Sequence, residues 1–266
     1  MNPSVDYHMH TPLCGHAKGE PKLYVEHALK MGLKEIGFSD HAPLVSHRDP
    51  TITMDFDQLP TYYAMIEEVQ KNYPQLTIKM GIEADFIPGY EAKTKEILAD
   101  YFYDYVIGSV HFIGKWGFDD PSQREGWQAQ DINHVYREYF SLLRQCAESR
   151  MFDIMAHVDL VKKFGHRPTE DITDEIKETA KVFKQSGVAV EINTSGLRKP
   201  AKEMYPAAHM LKIYCEAGVP LTFGSDAHVP TDVGRDFDKA LGMAKEVGYK
   251  EHLVFRKRKI ERVIKL

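Results

Sequence analysis

Residues 173–192, TDEIKETAKVFKQSGVAVEI, contain one complete structural unit. Ile176, Ala180 and Phe183 recur at helical spacing, so 173–186 reads as an amphipathic helix. Gly187 follows it and suits the left-handed position that ends a helix. The next run, 188–192, is almost continuously apolar, as in a strand covered on both faces of a parallel sheet. The same pattern extends in both directions. Candidate strands are 5–8, 35–39, 78–84, 105–109, 153–156, 188–192 and 221–224, and candidate helices are 22–31, 58–72, 91–101, 133–148, 173–186, 207–217 and 236–246. Gly32, Gly218 and Gly248 follow helices as Gly187 does. About seven βα repeats with no break in composition predict an α/β protein, one TIM-like (β/α) barrel spanning 1–266 as a single domain. Residues 112–130 lack either period and read as a long loop, while 253–266 reads as a final strand or a solvated basic tail.

Composition narrows the function. A chain of 266 residues with 43% hydrophobic and 27% charged residues has the size and balance of one large globular domain. A formal net charge of −5 supplies no polybasic track, so nucleic acid is not expected as a partner. No run is apolar enough to span a bilayer, and Val5-Asp6-Tyr7-His8 follows Met1 almost at once without a leader pattern, so a cytoplasmic location is expected. No heptad specifies an oligomer. The three cysteines, Cys14, Cys146 and Cys215, form no CxxC pair and support neither a disulfide framework nor a thiolate zinc knuckle. Cys14, between His10 and His16, reads as a small buried residue with a secondary chance of lying near a metal.

The chemistry lies at the strand ends. Seven of the thirteen histidines and two carboxylates fall at or just beyond the C-terminal ends of candidate strands: His8, His10 and His16, then His41, Glu83, His111, His157, Asp226 and His228. His8-x-His10 and Asp226-x-His228 each point two ligands to one side of an extended segment. A lone histidine at a strand end is usually a hydrogen-bonded rim residue, but nine such groups at the edge where barrel active sites sit point to metal. Imidazole and carboxylate without thiolate suit zinc, iron or manganese. Nine donors exceed one ion and divide among two or three. Clustered divalent ions acidify a bridging water and offset the charge of a phosphate ester. His27, His134, His209, His47, His166 and His252 read as ordinary surface or loop histidines, with His47 and His166 alone retaining a chance of reaching substrate.

Asp6-Tyr7-His8-Met9-His10-Thr11, Cys14-Gly15-His16-Ala17, Gly37-Phe38-Ser39-Asp40-His41, Gly81-Ile82-Glu83, Gly108-Ser109-Val110-His111-Phe112 and Gly224-Ser225-Asp226-Ala227-His228 resemble the motifs of the polymerase-and-histidinol-phosphatase (PHP) superfamily. The resemblance covers nearly the whole chain. The length, and the segment from Val110-His111-Phe112-Ile113 to Trp116-Gly117-Phe118-Asp119, resemble its monofunctional histidinol-phosphatase branch. It implies a distorted (β/α)7 barrel with three metals: one held by His8, His10, Glu83 and Asp226, one by Glu83, His111 and His157, and one by His16, His41 and His228. It further implies hydrolysis of a small phosphate ester, L-histidinol phosphate, through attack of a hydroxide bridging the metals.

Asp226 and Asp40 are the candidates for proton transfer to the leaving alcohol. A cation should orient the ester, and Arg198, then Arg235, are the choices, with Ser195 as a further hydrogen-bond donor. Glu191, Asp119 or Asp159 would meet a substrate amine. Three rival readings stay open: a phosphoesterase acting on another small ester or nucleotide, an amidohydrolase-type C–N hydrolase, and a non-catalytic metal-binding module. The C–N hydrolase leaves His16, His41 and His228 without a purpose.

Overall fold

Apolar strands need cover on both faces, and the chain supplies it by rolling a parallel sheet into a barrel. The structure is a computed structural model and describes residues 5–266. Its strands are β1 (Val5–Asp6), β2 (Glu35–Phe38), β3 (Thr77–Asp85), β4 (Tyr105–Ser109), β5 (Phe112–Ile113), β6 (Trp116–Gly117), β7 (Ile154–Met155), β8 (Ala189–Asn193), β9 (Leu221–Gly224), β10 (Glu251–Arg256) and β11 (Lys259–Lys265). The barrel sheet has the order β1-β2-β3-β4-β7-β8-β9, every pair parallel. It closes between its ends: Tyr7 N donates to Phe223 O at 3.1 Å and His10 N to Ala227 O at 3.0 Å.

Each barrel strand is followed by a helix: α1 (Pro21–Met31), α2 (Leu59–Asn72), α3 (Glu91–Ala99), α4 (Ile132–Glu148), α5 (Thr173–Ser186), α6 (Ala208–Glu216) and α7 (Phe237–Val247). This is the (β/α)7 barrel expected from the sequence. In α5 the residues Ile176, Ala180 and Phe183 are buried against the sheet, as their spacing requires. Gly187 then ends the helix at φ 75°, its N–H donating to the carbonyls of Phe183 and Lys184.

Two segments differ from expectation. The stretch 112–130 contains a β5–β6 ribbon and a 3₁₀ helix, Pro121–Ala129. It is pinned by Trp116 against Trp127 with ring centroids 5.0 Å apart, and Trp127 in turn stacks on His166 at 4.3 Å. The C-terminal stretch neither joins the barrel sheet nor trails into solvent: β10 and β11 form a separate antiparallel hairpin. Leu253, Val254 and Phe255 of β10 pack with Val5, Tyr7, Tyr105, Ile154 and Ala189, which plugs the end where the barrel strands begin. The polar groups there are paired: Arg262 with Glu35 at 2.5 Å, Lys79 with Glu261 at 2.8 Å, and Arg258 with Asp153. The opposite rim is left for chemistry. Among the described residues no helix is long and apolar enough to cross a membrane.

Candidate metal centre

Glu83, near the end of β3 and 1% exposed, is the hub of that rim. Its Oε2 lies 3.1 Å from His8 Nε2 and from His41 Nδ1, and 3.6 Å from His10 Nε2. Its Oε1 lies 3.0 Å from His157 Nε2 and 3.9 Å from His111 Nε2, and accepts from the Ser109 hydroxyl. One carboxylate thus faces five imidazoles carried by four different barrel units. Asp226 is the second focus: its Oδ1 lies 3.2 Å from His10 Nε2, 3.3 Å from His228 Nδ1 and 3.8 Å from His8 Nε2. His228 continues the array, stacked on His10 at 4.0 Å and on His16 at 4.6 Å. All nine residues singled out by the sequence therefore converge on one cluster, seven lining the cleft and His8 and His10 buried beneath it.

The donor set fits divalent metal ions. His10 is fully buried, and its Nε2, although 3.2 Å from Asp226 Oδ1, lies off the line a hydrogen bond needs and has no partner. Two donor atoms that approach closely without bonding are aimed at a third body between them. Triplets of donor atoms within 4.8 Å of one another include His8, His10 and Asp226; His8, Glu83 and His157; and His10, His41 and His228. Electrostatics agree. Burial works against the charge of Glu83, yet the His8 and His41 imidazoles and the hydrogen bonds from His157 and His8 hold its carboxyl well below the usual range. Burial likewise opposes ionisation of Asp226, and His8, His10 and His228 overcome it. Burial would lower His10, but the Asp226 and Asp40 carboxylates beside it and the charge of Glu83 lift its pKa to about 9. His10 thus favours its protonated form beside carboxylates that a divalent cation would neutralise instead, whereas His16, His41 and His228 are shifted towards neutrality by burial.

Behind the donors stands a second layer. His8 Nδ1 bonds Glu191 Oε1 at 2.7 Å, His111 Nδ1 bonds Asp85 Oδ1 at 2.8 Å, and His16 Nδ1 bonds Cys14 O at 2.9 Å. Each bond fixes a ring and leaves its Nε2 free to face the centre. Cys14 is buried, and its Sγ accepts from Ala17 N at 3.4 Å and is within reach of the His16 and His228 donors.

The cleft over the centre has a volume of about 780 Å³, and the remaining expected residues divide between its walls and the interior. Arg198 is turned away: its guanidinium donates to Ser225 O at 2.6 Å and pairs with Asp232 at 3.1 Å, outside the cleft lining. Arg235 also pairs with Asp232, at 2.7 Å, and is half exposed. The cleft's cations are Lys199 and Lys163. Lys163 pairs with Asp119 at 2.8 Å, whereas Lys199 makes no ion pair among the described residues. Its pKa is lowered by burial and by Lys163 nearby.

Asp40 is fully buried and does not line the cleft. It accepts from Thr11, from His41 N at 2.9 Å and from His10 Nδ1 at 3.4 Å, so it orients His10 and has no path to a leaving group. Ser195 does line the cleft, its hydroxyl donating to Asp226 Oδ2 at 3.0 Å. Of the three amine candidates only Asp119 is in the wall. Glu191 is buried behind His8, and Asp159 is fully buried against Lys162 at 2.6 Å. His47 packs edge-on against Phe112 of the cleft wall at 5.7 Å, and His166 is occupied by Trp127.

A parallel barrel that gathers seven imidazoles and two carboxylates at its strand ends defines a metal-dependent hydrolase, and the chain belongs to the PHP domain family, whose pattern matches residues 6–195. Similar proteins include one from Deinococcus radiodurans described as a probable histidinol-phosphatase, 40% identical over 257 residues that cover 96% of this chain and 98% of that protein. The histidinol-phosphatase of Bacillus subtilis is 32% identical, covering 89% of this chain and 97% of its own length. The fold is similar to the crystal structure of histidinol phosphate phosphatase from Lactococcus lactis, complexed with zinc, L-histidinol and phosphate; the TM-score is 0.85 at 23% identity, covering 97% of this chain and 99% of that one.

Proposed function

We propose that this chain is a metal-dependent phosphomonoesterase that hydrolyses L-histidinol phosphate to L-histidinol and inorganic phosphate. The observation that carries the reading is Glu83, one buried carboxylate in contact with imidazoles from four barrel units beneath a cleft that contains a lysine without a carboxylate partner. The histidinol-phosphatases that match almost the full length of the chain supply the substrate.

Three ions suit nine donors better than two. In this reading His8, His10, Glu83 and Asp226 hold one ion, Glu83, His111 and His157 a second, and His16, His41 and His228 a third. When bound, such ions supply Lewis acidity towards the phosphate oxygens and a water acidic enough to act as nucleophile. The chain's own residues do the rest. Lys199 and Lys163 attract the phosphate and orient it in the cleft. Ser195 holds Asp226 in place through its hydroxyl. Lys199, with its pKa lowered, is the donor best suited to protonate the departing alkoxide. Asp119 faces the substrate's cationic end, and Phe112 offers an apolar wall.

The test is phosphate release from L-histidinol phosphate, measured beside p-nitrophenyl phosphate and a nucleoside monophosphate on zinc- or manganese-loaded protein. L-histidinol phosphate is expected to exceed the others in kcat/KM by at least tenfold. Equal rates would remove the substrate assignment, and no more than two ions per fully active chain would remove the third site.

A further inference from the structure

Glu191 sits in the middle of β8, 1% exposed and not itself part of the cleft lining. Its two oxygens are fully engaged. Oε1 accepts from His8 Nδ1 at 2.7 Å, while Oε2 accepts from the backbone N–H of His157 at 3.0 Å and from Asn193 Nδ2 at 3.0 Å. Asn193, two residues on and on the same face of β8, also reaches Asp226 Oδ2 at 3.4 Å and anchors Ser195 N at 3.0 Å. Three barrel units, carrying His8, His157 and Asp226, are thus tied to one carboxylate and its amide neighbour.

His157 shows why the tie matters. Its φ is 28°, a backbone that a residue with a Cβ adopts only when its surroundings impose it. Its Nε2 meets Glu83 Oε1 at 3.0 Å, but its Nδ1 is buried with no hydrogen-bond partner, so on that side only the backbone sets the imidazole's direction. The ring is aimed by its backbone, and Glu191 holds that backbone. For His8 the effect is on orientation: the bond from Nδ1 to Glu191 turns Nε2 towards Glu83, and with an ion bound it would hold the proton on Nδ1. The neighbouring strand makes room. A Cβ on Gly224 would collide with Glu191 Oε1 and stand 2.6 Å from the His8 Cβ, so glycine at this point of β9 is a condition of the contact.

We propose that Glu191 is a positioning residue for metal binding, a clamp that sets His8 and His157 together, with Gly224 as the gap that admits it. The proposal rests on reading His8 and His157 as ligands. A carboxylate is required because each oxygen must accept; glutamine offers one acceptor and turns an N–H towards a donor.

The experiment measures zinc per chain after equilibrium dialysis, zinc affinity by chelator competition, and the visible spectrum of the cobalt(II)-loaded protein. It compares wild type with Glu191→Gln, Gly224→Ala and, as a control on the ligand reading, His8→Ala. Glu191→Gln is expected to weaken zinc binding by about 10–100-fold at one or more ions and to alter the cobalt spectrum, with circular dichroism unchanged. Gly224→Ala, which leaves the carboxylate chemically intact but displaces it, should do the same; should Glu191→Gln fail to fold, this variant decides. Zinc affinity within twofold of wild type in the folded variants, with His8→Ala losing metal, overturns the clamp alone. A wild-type complement in His8→Ala overturns the ligand reading and the clamp with it.

Discussion

His252 gives the clearest quantitative test of how the hairpin plug holds the barrel. It lies on β10, 2% exposed, edge-on to Phe223 of β9 at 5.3 Å, and its Nδ1 has no hydrogen-bond partner. Burial pushes its pKa from 6.5 down to about 4, the Leu253 backbone opposing this and Arg262 adding to it. Between those two values the unfolded chain takes up a proton that the folded chain refuses. Stability from this group is complete above pH 6.5 and is lost as the pH falls towards the folded value. Linkage over this gap gives a loss of about 2 kcal/mol at pH 5 and about 3 kcal/mol at pH 4. His252→Leu removes the titration while filling a similar volume, and at pH 7 it should cost less than about 1.5 kcal/mol. Urea unfolding of both proteins, run every half unit from pH 7.5 to 4.5 at one zinc concentration, isolates the term, because every other titrating group is common to both. The wild type should fall more steeply below pH 6.5, so that the two curves converge or cross near pH 5. Parallel curves across that window would refute the account of a neutral, unpartnered imidazole under the barrel.

Three further outcomes are expected. Lys199→Met should raise KM for the phosphate ester about 10–100-fold, since a charged hydrogen bond to an oxyanion is worth about 1.5–3 kcal/mol, and also lower kcat through loss of the proton donor, while zinc content stays unchanged; initial-rate kinetics with metal analysis checks this. Arg198→Ala should instead lower thermal stability, by about 1–3 kcal/mol through the lost Ser225 and Asp232 contacts, and leave KM alone. A rise in KM without a change in melting would return Arg198 to phosphate binding. Phe255→Ala, which opens the plug among Tyr7, Leu253 and Val254, should cost about 3–5 kcal/mol in chemical unfolding, with kcat per folded chain unaffected by a change at the far end of the barrel.

What could be read in advance depended on how local the signal was. The strand-ending motifs were legible because a buried parallel strand is an apolar run and a histidine or carboxylate at its end breaks that run on the catalytic rim. Arg198 and Lys199 show the limit. They are neighbours at the end of the 3₁₀ turn Thr194–Arg198, where successive side chains point about a third of a turn apart. The free carbonyl of Ser225 draws the guanidinium away and leaves the ammonium facing the cleft. That choice depends on a strand from elsewhere in the chain. Glu191 did carry a signal, a lone carboxylate within a strand, but the sequence suggested a partner for a substrate amine, whereas its oxygens accept from His8 Nδ1 and from the His157 backbone. Asp40, beside His41, looked equally available and is buried behind His10. The hairpin at 251–265 was obscured by its many charges, since the short apolar run Leu253-Val254-Phe255 signals burial but not what covers it.

Closure of the barrel sets the order of events during synthesis. Asp6 accepts from Ser225 N at 2.9 Å across 219 residues of chain, and Met9 bridges Ala227. His8 and His10 therefore leave the ribosome long before Asp226 and His228 exist to complete their pocket, and the hairpin that plugs the barrel follows later still. Contacts of such separation form only once the intervening chain has been made and organised. The assembled pocket is thus a property of the whole fold: a product shortened before Asp226 and His228 lacks the groups that enclose the His8–His10 pair.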